Sequence, residues 1–232
     1  MDYSNLKTLT IPEGEATKIT AGGVVLWEKV TSRIPSEYQE VEYIKAAAYV
    51  GAYLKLGFAF DTAAKIEIGL YFENTSSSYP FGAAENSGKY RCMITAPYDS
   101  EYYAYCYGSN GSTYLPCRIA TVAKSLNDFV YTLKAGNVTF TNNKNTENDK
   151  TNISFTMTNE LYLFAQNYNG TLRYGAIRQI HYFRYYNKSD TLICDLVPCY
   201  RKSDGVIGMY DIVRKIFLTN AGSGSFTKGA DV

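Results

Sequence analysis

The sequence is short of the residue types that most enzymatic and metal chemistry draws on. Its 232 residues include a single histidine, His181, and a single tryptophan. With one histidine and no nucleophile motif near it, a Ser-His-Asp type triad has no support. The five cysteines, Cys92, Cys106, Cys117, Cys194 and Cys199, are odd in number and cannot all pair within one chain. Neither the spacing of Cys194 and Cys199 nor that of Cys106 and Cys117 is a CxxC knuckle, so no zinc site is expected and the thiols read as buried or half-buried. An excess of charge of either sign is also missing. Lys+Arg 23 against Asp+Glu 22 leaves a net charge of +1, which gives no electrostatic footprint for nucleic acid or an anionic membrane surface. Neither partner is expected. Long apolar runs are absent too: Lys55 interrupts the most apolar stretch, from Tyr49 to Phe60, and no segment suits a bilayer-spanning helix. The acid at position 2 and the missing apolar core predict no secretory signal peptide, and hence synthesis in a cytoplasm.

What the sequence has in abundance is tyrosine. Tyr 23, Phe 11 and Trp 1 make 15% of the chain aromatic. Tyrosine favours strands and serves as an amphipathic contact at binding surfaces, so these residues divide between strand-face packing and recognition.

The hydrophobic pattern has a period near two almost throughout. Residues 1–32 read as a small unit of hairpins, with a turn at Pro12-Glu13-Gly14-Glu15 and an apolar strand at Val24-Val25-Leu26-Trp27. So small a unit buries little and must dock on something, and it is expected to anchor the chain. A linker around Pro35 leads into the main domain, 33–232. Fifteen candidate strands follow: Gln39–Ile44, Tyr53–Phe58, Lys65–Phe72, Tyr79–Ala83, Tyr90–Thr95, Tyr102–Tyr107, Arg118–Ala123, Phe129–Lys134, Asn137–Thr141, Ile153–Thr156, Glu160–Gln166, Gly175–Tyr186, Thr191–Tyr200, Val206–Tyr210 and Ile216–Thr219. Gly/Asn/Ser clusters separate them, and 142–152, the most polar stretch, reads as an exposed loop or hairpin tip. Many short strands with almost no helical periodicity predict an all-β, antiparallel two-sheet sandwich with a small N-terminal β extension.

Two phrases carry a resemblance. The first is Ile34-Pro35-Ser36-Glu37-Tyr38-Gln39-Glu40-Val41-Glu42-Tyr43-Ile44. The second runs from Asp195-Leu196-Val197-Pro198-Cys199-Tyr200-Arg201-Lys202-Ser203-Asp204-Gly205-Val206-Ile207-Gly208-Met209-Tyr210-Asp211 to the Asn220-Ala221-Gly222-Ser223-Gly224-Ser225-Phe226 tail. Both closely resemble segments of phage and prophage virion proteins of gut bacteria, in which they bracket a concanavalin A-like, laminin-G-like jelly roll. The resemblance implies that fold, a place on the virion surface, and assembly in the bacterial host cytoplasm. It covers both ends of the domain, while the middle agrees in strand rhythm only.

Sandwiches of this architecture include glycan hydrolases, which need two carboxyls ~5–5.5 Å apart for retaining chemistry. The only alternating acids on a candidate strand are Glu40 and Glu42, and Glu73, six residues after Glu67, falls in a turn. No catalytic pair and no cofactor is therefore expected. Asp99, Glu101 and Asp128 lack the loop spacing of a calcium site. Binding has better candidates. Tyr98, Tyr103, Tyr105 and Tyr107 crowd around Asn110, and strand alternation sends Tyr103, Tyr105 and Tyr107 to one face and Tyr102 to the other. A second cluster is Tyr168 and Asn169 with Arg173. Tyrosine faces stack on sugar rings while amide and charged groups fix hydroxyls. These residues point to a tail- or baseplate-associated adhesin contacting host surface glycan or protein, joined to other virion subunits through residues 1–32 and assembled as a homo-oligomer, with a trimer as one form. The alternative is a purely architectural head-decoration or fibre protein.

Overall fold

The computed structural model describes residues 18–21, 24–28, 32–47, 51–61, 64–71, 79–85, 91–98, 101–107, 114–120, 125–134, 137–141, 146–149, 156–173 and 178–232. The chain divides into two compact units, 1–33 and 34–232. In the first, β1 (Lys18–Ala21) and β2 (Val24–Glu28) pair antiparallel, with Ile19 opposite Trp27.

The second unit is built from strands alone among the described residues. In chain order they begin with β3 (Tyr38–Glu40), β4 (Ile44–Ala46), β5 (Leu54–Asp61), β6 (Lys65–Tyr71) and β7 (Phe81–Ala84). Next come β8 (Arg91–Tyr98), β9 (Glu101–Tyr107), β10 (Tyr114–Ala120), β11 (Leu126–Lys134), β12 (Asn137–Thr141) and β13 (Thr146–Asp149). The last eight are β14 (Thr156–Leu163), β15 (Gln166–Tyr168), β16 (Thr171–Arg173), β17 (Gln179–Tyr186), β18 (Leu192–Arg201), β19 (Ile207–Asp211), β20 (Ile216–Thr219) and β21 (Phe226–Lys228). One sheet has the order β10-β9-β8-β7-β14-β5, with β15 and β16 added beside β7. The other runs β13-β12-β11-β6-β17-β18-β19-β20, with β3, β4 and β21 added at its β17–β18 side. We call them the first and the second sheet.

Alternation explains why the sheets face each other. In β6, Ile66, Ile68 and Leu70 are buried while Lys65 and Glu67 are half-exposed; in β5, Leu54 and Leu56 are buried while Lys55 is exposed. The apolar rows meet in one core holding Phe60 and Phe81 of the first sheet and Phe129, Phe183, Tyr131 and Tyr185 of the second. Tyr185 is 1% exposed and its ring lies 4.8 Å from Phe58, and the Phe81 ring lies 6.1 Å from Phe183, so aromatic pairs bridge the sheets. Each such ring contributes about 1.5–3 kcal/mol by leaving water. Part of the tyrosine excess is thus core.

The two sequence phrases form one structural frame. β3 pairs with β18, Tyr38 opposite Arg201 and Glu40 opposite Cys199, and the linker residue Ile34 is buried with Val197, Cys199 and Tyr210. Pro198 stands inside β18, which runs from Leu192 to Arg201, close to the expected strand Thr191–Tyr200. It is tolerated because β17 pairs only as far as Leu196 and β3 begins at Cys199; the Pro198 carbonyl accepts from Val41 N–H at 3.0 Å on that edge. The N–H that proline lacks would point into the same gap. Asp211, fully buried, accepts from the backbone of Asp195, Val213 and Arg214 and from the Arg214 guanidinium. Arg214 in turn donates to Leu56 O of β5, tying the second sheet to the first. The closing turn sits against backbone: a Cβ at Gly222 would lie 1.9 Å from Gly51 O, and Asn220 Oδ1 accepts from Tyr53 N and Gly222 N.

The structure departs from the sequence expectation at several elements. Gln39–Ile44 is two strands broken around Glu42, because β3 pairs with β18 while β4 pairs with β17 and β21. The polar stretch 142–152 contains β13, which forms a hairpin with β12. The segment 167–170 is a strand end and turn leading into β16, which apolar periodicity did not mark. Residues 153–155 and 175–177 of two candidate strands lie outside the described residues.

Candidate functional site

The site is built where β14 turns back on itself. Phe164 takes a positive φ of 66° and donates its N–H to Pro80 O at 2.6 Å, and its ring stacks against Phe226. Consequently β14 lies antiparallel to β7 at Phe81 and Gly82, while β15 lies parallel to it at Ala83 and Ala84. The next reversal is the pair Asn169-Gly170, with φ of 48° and 82°. Positive φ at both central positions is what a two-residue type I′ hairpin demands, and Asn-Gly supplies it at least steric cost. Asn167, 4% exposed, fixes this turn: its Oδ1 accepts from Gly170 N and its Nδ2 donates to Glu160 O. Ala84 O then receives both Asn159 Nδ2 (2.6 Å) and Asn169 N (3.0 Å).

Register brings the two sequence-predicted clusters onto one surface. Cross-strand partners share a sheet face, and the backbone pairing gives one row of Thr171, Tyr168, Ala84, Arg91, Tyr107 and Tyr114. The neighbouring row is Lys55, Tyr162, Gly82, Met93, Tyr105 and Pro116. A third holds Thr95, Tyr103 and Arg118. Phe81 and Ala83, which alternate with Gly82 and Ala84 on β7, belong to the core. Positions 103, 105, 107 and 168 therefore all fall on the face turned away from the core. Adjacent strands are ~4.8 Å apart, so the row from 168 to 107 spans three intervals, roughly 14 Å, and passes through Ala84 of β7, which is buried, and Arg91 of β8.

The described side chains on this face are aromatic and cationic. The Arg173 guanidinium lies 3.6 Å from the Tyr168 ring centroid, so the hairpin presents a stacked pair. Tyr162 is only 5% exposed, covered by Tyr53, whose ring is 4.7 Å away, and Lys55 Nζ stands 5.9 Å from the Tyr162 ring. Burial pushes the Tyr162 phenol above its ordinary value of 10, with Tyr53 and Glu160 adding to the effect, and the group stays protonated. The nearby carboxylates are committed to backbone: Glu160 accepts from Gly57 N at the bulge in β5, and Glu85 accepts from Thr158 N and Oγ1.

The remaining candidates fall elsewhere. Tyr98 pairs with Glu101 beyond a register shift, so alternation does not carry it into the rows. Tyr102 takes the opposite parity, opposite Ile119. Asn110, Glu73 and Asp99 lie outside the described residues. Tyr162 and Lys55 were missed as site residues; the alternation of Lys55 between Leu54 and Leu56 was the available signal. Gly82 and Ala84 had none, since their place in the rows is defined only by their partners.

The acids considered for catalysis are separated and engaged. Glu40 ends β3, whereas Glu42 stands in the break after it and accepts from Ala230 N. Glu67 lies on the second sheet; burial works to raise its pKa, but hydrogen bonds and charge from Lys65 (2.9 Å) and Arg184 (3.4 Å) outweigh it and hold the carboxyl below its ordinary value. Asp128 accepts from Tyr182 O–H at 2.9 Å. No group of three His, Cys, Asp or Glu among the described residues could hold a metal. His181 is the extra residue of a bulge in β17, its ring 5.4 Å from Tyr43, and burial lowers its pKa. Cys194 and Cys199 are buried, and burial pushes the Cys199 thiol up to about 12, which makes it inert.

The two-sheet arrangement belongs to the jelly-roll class of concanavalin A-like, lectin-type sandwiches. No protein-family model matches the sequence, and no curated protein does. Solved structures do match in fold. The CBM40 of Ruminococcus gnavus IT-sialidase is 10% identical with a TM-score of 0.50, over 64% of this chain and 90% of that one. The heptameric SAP-like pentraxin of Limulus polyphemus is 9% identical, TM-score 0.50, over 82% and 95%. A protein from Bacteroides ovatus is 8% identical, TM-score 0.51, over 83% of this chain and 62% of its own length.

Proposed function

We propose that this chain is a non-catalytic glycan-binding domain carried on a bacteriophage particle as a tail- or baseplate-linked adhesin, with the outer face of the first sheet as its contact surface. One observation carries the reading. The register puts Tyr168, Ala84, Arg91 and positions 107 and 114 in one cross-strand row, on the side away from the core. Aromatic faces are what sugar rings stack on, at little rotamer cost. The CBM40 neighbour supports it, since a structure of that domain holds α2,3-sialyllactose. The virion setting rests on the resemblance of the two phrases. Residues 1–32 are the tether to other virion subunits, and a homo-oligomer, with a trimer as one form, multiplies a weak contact.

Particles carrying Tyr105→Ala or Tyr168→Ala test this. Adsorption to host cells falls by about tenfold or more, the equivalent of about 1.4 kcal/mol, while the melting temperature of the isolated protein is unchanged. Unchanged adsorption removes the face from the function. Electron microscopy of the particle checks the setting: a tail-tip position agrees, whereas a position on the head shell favours the decoration role.

A further inference from the structure

We infer that the ligand of this face is an acidic sugar, recognised through an anionic group on the saccharide; this rests on the face being the binding surface. The inference comes from the distribution of charge among the rows. The three adjacent cross-strand rows contain Lys55, Arg91 and Arg118 and no aspartate or glutamate, and the next row, at the end of β9, adds a single acid, Glu101 opposite Ala120. Arg173 stands beside them on Tyr168, so four cationic positions share a face within a chain whose overall charge is only +1. On the second sheet the same residue types behave differently. Lys65 and Arg184 are matched there by Glu67 and Asp195 at 2.9–3.4 Å. Lys55 and Arg173, in contrast, rest on tyrosine rings and form no ion pair among the described residues.

The neighbouring carboxylates are engaged elsewhere. Glu160 accepts from Gly57 N–H and Glu85 from Thr158 N–H and O–H, at exposed positions of the same sheet. A stacked guanidinium keeps its edge N–H groups available for a planar anion, which is the geometry that suits a carboxylate or sulfate oxygen pair. The rings provide the stacking platform, the cations select the charge, and a neutral sugar would leave that selection unused.

Calorimetric titration of the full chain with matched sugars tests it: an oligogalacturonide against its methyl ester, sialyllactose against lactose, and a 6-sulfated galactoside against its parent galactoside. In at least one pair the acidic member binds about tenfold more tightly. The gap shrinks in 0.5 M salt relative to 0.05 M salt. Arg173→Gln combined with Lys55→Gln closes most of that gap, with melting unchanged. Which pair responds distinguishes a carboxylate from a sulfate. No preference in any pair overturns the inference, as does a preference that survives the double substitution. The adhesin reading fails separately, when Tyr105→Ala and Tyr168→Ala leave adsorption unaltered.

Discussion

Three residues show how closely single positions here are tied to their surroundings. Asp211 works as a staple, since burial alone would raise its pKa but the hydrogen bonds from Arg214 and the backbone hold it below the ordinary 3.8. Gly69 is small because a Cβ there would lie 2.6 Å from the Tyr182 ring, which crosses it to donate to Asp128. His181, the bulge residue above the same glycine, has the clearest pH consequence. Desolvation holds its folded-state pKa below the ordinary 6.5, although Glu42 and Asp128 oppose the shift. Tyr43 and Tyr182 are the other titratable groups beside it. The unfolded chain therefore takes up a proton at a higher pH than the folded one does. Stability associated with His181 is complete above pH 6.5 and is lost as pH falls through that value toward the lower folded one. The depressed carboxyls Glu67 and Asp211 act in a separate window, at and below their ordinary 4.5 and 3.8. Urea unfolding of the His181→Asn protein should lose the slope that sets in as pH falls below 6.5 while retaining the fall below pH 4.5; a slope unchanged by the substitution would contradict this.

At the level of elements, turns decide what the strands can present. The β15–β16 hairpin positions both Tyr168 and Arg173, and its geometry depends on Asn169-Gly170 at positive φ. A methyl group added at Gly170 would meet nothing within 4 Å, so a side chain there brings no clash and only backbone strain. Gly170→Ala is expected to cost about 1–2 kcal/mol in urea unfolding and to weaken glycan binding although no contacting side chain has changed. Retained affinity with that loss of stability would mean the hairpin is not part of the site. Much of this scale was readable in the sequence. Turn-forming clusters marked the gaps, and the expected strands Val206–Tyr210 and Ile216–Thr219 lie close to β19 and β20, which pair with Met209 opposite Leu218. What escaped was whatever depends on a partner distant in sequence. The break between β3 and β4 arises because one strand is claimed by β18 and the next by β17 and β21.

For the whole molecule, the central consequence of the fold is that two clusters more than sixty residues apart become one surface. Alternation along the sequence sorted Tyr103, Tyr105 and Tyr107 from Tyr102, and Asn-Gly marked the second cluster, but their relation was hidden. It depends on the reversal at Phe164, which sets β15 parallel to β7 and so places Tyr168 opposite Ala84 in the row that continues to Tyr107. The second sheet offers a contrasting outer face, where Arg184 is shared by Glu67 and Asp195 and Tyr182 is bound to Asp128, so its charges satisfy one another. The account therefore assigns recognition to one face and mutual neutralisation to the other. Backbone amide chemical-shift mapping of the full chain, during titration with the tightest-binding acidic oligosaccharide, tests this most directly. Perturbations confined to the first sheet, at β7, β8, β9, β10, the β15–β16 hairpin and the Lys55 and Tyr162 positions of β5 and β14, are predicted; shifts centred instead on Glu67, Tyr182 and Arg184 would contradict the account.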